Sequence, residues 1–232
     1  MRTITREQLA GMFDHTLLKA DASKEELAEA CRQCAAYGFK MVAINSAQTS
    51  YCKELLKDTK VHVGAAIGFP LGQTTLETKV FETKDAIQNG ADEIDYVINI
   101  GKLKDKDYAY IKAEMEQIVA VCRENQVISK VIFENCYLTE EEKKVLCGIA
   151  LEVKPDFIKT STGFGRSGAT VEDVVLMKRM VGDAIKVKAS GGVRDLQTAL
   201  AMIEAGAERI GTSSSIKILE ELGEKIEQRG GE

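Results

Sequence analysis

The sequence predicts an α/β fold, a (β/α)8 TIM barrel, on three observations. Eight short, β-rich apolar runs alternate with longer helical patterns over 232 residues, roughly one strand every 29 residues. The sequence Gly-Ala-acid at 90–92 recurs at 206–208, and each copy reads as a helix stop followed at once by a strand. Only two prolines, Pro70 and Pro155, and no low-complexity linker interrupt the chain, so residues 1–232 read as one domain. An open doubly wound sheet is the alternative. No GxGxxG follows the first strand, which weakens the dinucleotide-binding form of that alternative.

In chain order the candidate strands are 12–17, 41–45, 61–67, 93–99, 129–134, 157–161, 185–189 and 209–212. The first intervening helix has Ser23 as its N-cap, Glu26 at the capping-box position and Gly38 as its stop. The pattern beginning "TTLETKVF" ends at Gly90, and "LQTALAMIEAGA" ends at Gly206.

Composition narrows the class. Apolar content of 44% and charged content of 29% are those of a globular chain. The net charge of −5 is spread over both signs with no basic block, so nucleic acid is not an expected partner. No apolar run approaches the ~20 residues that span a bilayer, so no membrane association is expected. The start, "MRTITREQLAGMF", has no signal-peptide core, and a cytoplasmic location is expected. Six cysteines in this length do not suggest a disulfide scaffold. Cys31 and Cys34 form a CxxC inside a helical pattern. Helix packing is favoured over redox or metal chemistry, because a second pair at similar spacing is missing.

Buried parallel strands ordinarily read as Val, Ile and Leu. Here Asp95, Lys130, Lys159, Lys186 and Lys188 interrupt them. Lys186 and Lys188 share a face, Lys186 at the strand start facing solvent and Lys188 at the C-terminal end. Active sites of this fold lie at that end, where Lys159 and Asp95 are also placed. A strand lysine can snorkel or form a structural ion pair. Two lysines and an aspartate converging on one end favour chemistry instead. A lysine amine attacks carbonyls only when neutral, and both burial and a second cation favour that form. Lys159, Lys188 and Asp95 therefore form a Schiff-base constellation, with Asp95 available for proton transfer.

Two glycine-rich turns follow the last strands. Gly191 and Gly192 in "KASGGVRD" let the backbone approach an anion, and "RIGTSSS" brings Gly211, Ser213 and Ser214 to a helix start. Gly163 in "STGFGRSG" offers a third wall. Tight βα turns alone would also use these glycines. Their position in loops 7 and 8 beside an activated lysine favours phosphate.

With "FDHTLLKAD", "IGFPLGQTTLETKVF", "DFIKTSTGFG", "VKASGGVR" and "RIGTSSS", the chain resembles the class I deoxyribose-phosphate aldolases over nearly its whole length. The resemblance implies a (β/α)8 barrel, a homodimer, and no metal or organic cofactor. It implies reversible cleavage of 2-deoxy-D-ribose 5-phosphate to D-glyceraldehyde 3-phosphate and acetaldehyde, in deoxyribonucleoside catabolism. Lys159 would form the imine, Lys188 would tune it, and Asp95 would act as acid/base through water. Gly163, Gly191, Gly192, Gly211, Ser213 and Ser214 match the phosphate positions, and Asp14, Thr16 and Lys130 match pocket-lining ones. The chain departs from the family's usual pattern at Ala43, Ser46, Asn135 and Ser215. Phe164 stands where some members carry a lysine, and no tyrosine follows Tyr137 to serve as the C-terminal proton donor some members use. A Schiff-base aldolase for another sugar phosphate, or a non-catalytic sugar-phosphate-binding barrel, is the alternative.

Overall fold

The structure, a computed structural model, describes residues 4–230, with side chains described through residue 224. Eight parallel strands close into a barrel in sequence order. They are β1 (Phe13–Thr16), β2 (Met41–Asn45), β3 (His62–Ile67), β4 (Glu93–Val97), β5 (Ile128–Ile132), β6 (Phe157–Lys159), β7 (Lys186–Ser190) and β8 (Arg209–Thr212). The β1–β8 pairing closes the ring, with Asp14 opposite Gly211. The helices are α1 (Arg6–Ala10), α2 (Lys24–Tyr37), α3 (Thr49–Leu56), α4 (Leu76–Gln88), α5 (Ile100–Lys104), α6 (Tyr108–Glu124), α7 (Glu140–Val153), α8 (Val171–Val181), α9 (Leu196–Glu204) and α10 (Ser215–Gly230).

The predicted start of α2 is present as drawn: Ser23 and Glu26 form a reciprocal capping box, and Gly38 ends the helix in the left-handed region. Thr139 and Glu142 repeat the device at α7. Helices α4 and α9 end two residues before Gly90 and Gly206, so these glycines carry the turn after the helix rather than its last residue. Strand β4 stops two residues short of expectation. There Asn99 turns to cap α5 through the Lys102 N–H, and its own N–H goes to Glu114.

Period-2 alternation divides each strand between two environments. Outward residues such as Val42, Ile44, Val63, Ile94, Tyr96, Val131, Ile158, Val187 and Ile210 join the helices in one apolar core. Cys31 and Cys34 belong to it, both buried on α2. The inward set is different in kind. It is small on β2 and β3, where Ala43, Gly64 and Ala66 face in, and charged on β1 and β4–β8. The missing side chain at Gly64 is what admits Met41, whose sulfur occupies the space a Cβ would need. Among the described residues, no helix is long and apolar enough to cross a membrane.

Candidate active site

The inward-facing charges meet on Asp95. Its Oδ2 accepts from both Lys159 and Lys188, each at 2.7 Å, and its Oδ1 accepts from Lys130 at 2.6 Å. The strand register produces this meeting: Lys159 lies opposite Lys188 across β6–β7, and Asp95 lies opposite Lys130 across β4–β5. Lys159 is 4% exposed and Asp95 is 3% exposed, so Coulomb forces between them are little screened.

Burial pushes the Lys159 amine down to about 8; Asp95 pulls the other way, and the Lys188 ammonium adds to the downward push. Burial alone would hinder ionisation of Asp95, but Lys130, Lys159 and Lys188 more than offset this and hold its carboxyl well below the usual range. A buried lysine amine lowered in this way, beside a carboxylate held charged, has the electrostatics that attack on a carbonyl requires.

Two expected pocket residues lie deeper than the mouth. Lys130 and Asp14 are fully buried. Lys130 also reaches Glu93 at 2.5 Å, and Asp14 reaches Lys188 and Arg209, each at 2.5 Å. Thr16 is half-buried at the end of β1, its hydroxyl donating to the Asp14 carbonyl. Lys186 is exposed at the start of β7, as its place in the strand predicted.

Loops 6, 7 and 8 form a continuous rim. Gly168 packs so closely on loop 7 that a Cβ would sit 2.0 Å from the Gly191 carbonyl oxygen, and Gly191 itself takes φ +81 against Gly163. The Ala169 N–H donates to the Ser190 and Gly191 carbonyls, and Thr212 donates to the Val193 carbonyl. Gly192 is exposed and faces open space. Ser213 and Ser214 sit immediately before α10. Gly211 lies within β8, inside the predicted strand 209–212, and its bare Cα makes room for Lys188 and Ser190. One detail differs from the sequence reading. The first turn of α9 is already capped by Asp195, which accepts from the Thr198 N–H. At the start of α10 the Ser214 N–H donates to the Thr212 hydroxyl.

Sequence reasoning missed three inward residues: Glu93, Arg209 and Glu134. Glu93 stands two residues before Asp95, hence on the same face, and that spacing was the available signal. Arg209 opens β8 and reaches Asp14 and Glu93. Glu134 follows β5 with its backbone in the left-handed region, 2% exposed, and accepts from the Thr162 N–H and hydroxyl. Burial raises its carboxyl above the usual range. At the rim, Phe164 is 56% exposed and stands edge-on to Phe69 with ring centres 5.4 Å apart.

A family model described as DeoC/LacD family aldolase matches residues 9–221. The chain is 60% identical over 218 residues to a deoxyribose-phosphate aldolase of Lactobacillus acidophilus, covering 94% of this chain and 92% of that one. It is 56% identical to a deoxyribose-phosphate aldolase of Bacteroides thetaiotaomicron, over 92% of this chain and 90% of the other. A tetrameric deoxyribose phosphate aldolase structure from Aeropyrum pernix superposes with a TM-score of 0.87 at 31% identity, covering 93% and 91% of the two chains.

Proposed function

This chain belongs to the DeoC/LacD family of aldolases, and on that basis we propose that it reversibly cleaves 2-deoxy-D-ribose 5-phosphate through an imine on Lys159. The observation that carries the proposal is the buried Lys159 amine, pushed down to about 8 and sharing one Asp95 oxygen with Lys188.

In the proposed cycle the neutral Lys159 attacks C1 of the open-chain sugar, and loss of water leaves an iminium. Asp95, working through water, accepts the C3 hydroxyl proton. The C2–C3 bond breaks, its electron pair moves into the iminium, and glyceraldehyde 3-phosphate leaves. The resulting enamine takes a proton at C2, and hydrolysis releases acetaldehyde and the free lysine. The phosphate would rest against Gly163, Gly191, Gly192 and the α10 start with Ser213 and Ser214. Binding there fixes C1 over Lys159, so remote contacts are used for orientation. The reading takes residues 1–232 as one cytoplasmic catalytic domain serving deoxyribonucleoside breakdown. It takes the assembly as a homodimer, which sedimentation or light scattering checks directly.

Acetaldehyde plus borohydride is expected to add one ethyl group to Lys159. Lys159→Ala is expected to lose both the label and cleavage. A label on another residue, or none, overturns the assignment. A substrate panel in which another sugar phosphate is cleaved faster would replace the substrate and keep the chemistry.

A further inference from the structure

The buried ion pairs under Lys159 close on themselves. Asp14 meets Lys188, Lys188 meets Asp95, Asp95 meets Lys130, Lys130 meets Glu93, Glu93 meets Arg209 and Arg209 returns to Asp14. Carboxylate and cation alternate around this ring, drawn from β1, β4, β5, β7 and β8, with every distance between 2.5 and 3.3 Å. Each of the six members is 5% exposed or less. Lys159 is not in the ring. It hangs from Asp95 as an extra cation.

We infer that Glu93 and Arg209 are positioning residues that set the protonation of Lys159 by fixing the net charge of the ring beneath it. A lone Asp–Lys pair would hold the lysine charged. Here Asp95 is already matched by Lys130 and Lys188, and the ring is neutral when complete. An ammonium on Lys159 leaves the buried cluster with one unmatched positive charge, and the free amine leaves it with none. Burying an unmatched charge is the costly state, so the ring favours the amine. Glu93 and Arg209 lie at the far side of the ring from Asp95, yet without either one the count no longer closes.

Other charged groups stand near Lys159 outside the ring, and burial pushes the one carboxyl among them, Glu134, toward its neutral form. Besides Asp95 on β4, Lys130 on β5 and Lys188 on β7, Glu134 stands beyond β5, where it is engaged with Thr162. Below, Glu93 meets His62 of β3 at 2.7 Å, and Lys40 meets the other ring nitrogen of His62 at 3.1 Å. The His62 imidazole thus links Glu93 to Lys40 across the barrel bottom. Lys186, exposed at the barrel bottom, lies over the Phe157 ring.

The inference rests on the imine reading, and its test is the pH dependence of borohydride trapping by acetaldehyde. Glu93→Gln leaves the ring one positive charge in excess and is expected to move the acid limb down by about one pH unit. Arg209→Gln leaves it one negative charge in excess and is expected to move the limb up by about as much. The double variant, neutral again, should return to the wild-type limb, and Arg209→Lys should not leave it. If a single variant fails to fold, Asp14→Asn takes the place of Glu93→Gln and Lys130→Met that of Arg209→Gln, under the same sign rule. A merely structural ion pair would lower the trapped amount without opposite shifts. Shifts of the same sign, or folded variants with an unmoved limb, overturn the inference. A wild-type protein that traps nothing overturns the imine reading instead.

Discussion

Replacing Lys188 with Met tests the electrostatics of the nucleophile most directly. Lys188 and Lys159 each donate to the same Asp95 oxygen at 2.7 Å. Their nitrogens are therefore roughly 4.5 Å apart, where two cations repel by about 4 kcal/mol at an effective dielectric near ~20. One pKa unit corresponds to about 1.4 kcal/mol, so removing Lys188 should raise the Lys159 amine by roughly three units. With the amine at about 8, roughly a tenth of Lys159 is free at pH 7. Three units higher, the free fraction is about one in ten thousand, a loss of about a thousandfold. The assay is the initial rate of borohydride trapping against pH, read by intact mass. In Lys188→Met the rate should still climb about tenfold per unit through about pH 9, where the wild type has levelled. A variant whose rate falls at every pH with its limb still near the wild-type position refutes this reasoning. Lys188 would then act by contact with substrate and not by its charge.

Three other outcomes follow from the geometry. Lys79→Met should cost about 3–5 kcal/mol in a urea melt, because it strands Glu114, fully buried and paired to Lys79 at 2.6 Å; replacing both should recover most of the loss. Gly168→Ala should sharply raise KM for the phosphorylated sugar, since its Cβ would stand 2.0 Å from the Gly191 carbonyl oxygen and force loops 6 and 7 apart. Phe164→Lys puts a cation on an exposed rim position and should lower KM for the phosphorylated substrate about fivefold, the equivalent of about 1 kcal/mol, with kcat unchanged; an equal gain for the unphosphorylated sugar would argue against phosphate at that rim.

The barrel was legible because its strands announce themselves twice, by short apolar runs and by the turns between them. Misjudged ends came from side chains that serve a neighbouring element: Asn99 reads as strand but caps α5, and Gly90 reads as a helix end but carries the following turn. Lys159, Lys188 and Asp95 stood out because a charge in a buried strand is expensive. Their shared oxygen could not be read, because it depends on the register of strands 64 and 93 residues apart in sequence. Glu93 and Arg209 escaped notice for a related reason. Each opens a strand, where charge is unremarkable, and only closure of the barrel turns both inward. Gly211 was legible as a strand residue, but its packing against Lys188 and Ser190 was not, because it depends on side chains of the neighbouring strand β7.

The ring also divides along the chain in a way that bears on how the protein assembles. Its acids, Asp14, Glu93 and Asp95, all lie on β1–β4, and its cations, with Lys159, all lie on β5–β8. A folded first half would bury three carboxylates with no cation of the ring, and a folded second half would bury its lysines and arginine with no carboxylate of the ring. Neither half can neutralise its own interior, so the ring gives a half-barrel no stable resting form and gives the two halves complementary charge. Two copies of one half could not substitute for the pair, since doubling either set doubles its uncompensated charge. The chain thus has a built-in preference for closing as a whole, sealed when Arg209, close to its end, meets Asp14, close to its beginning.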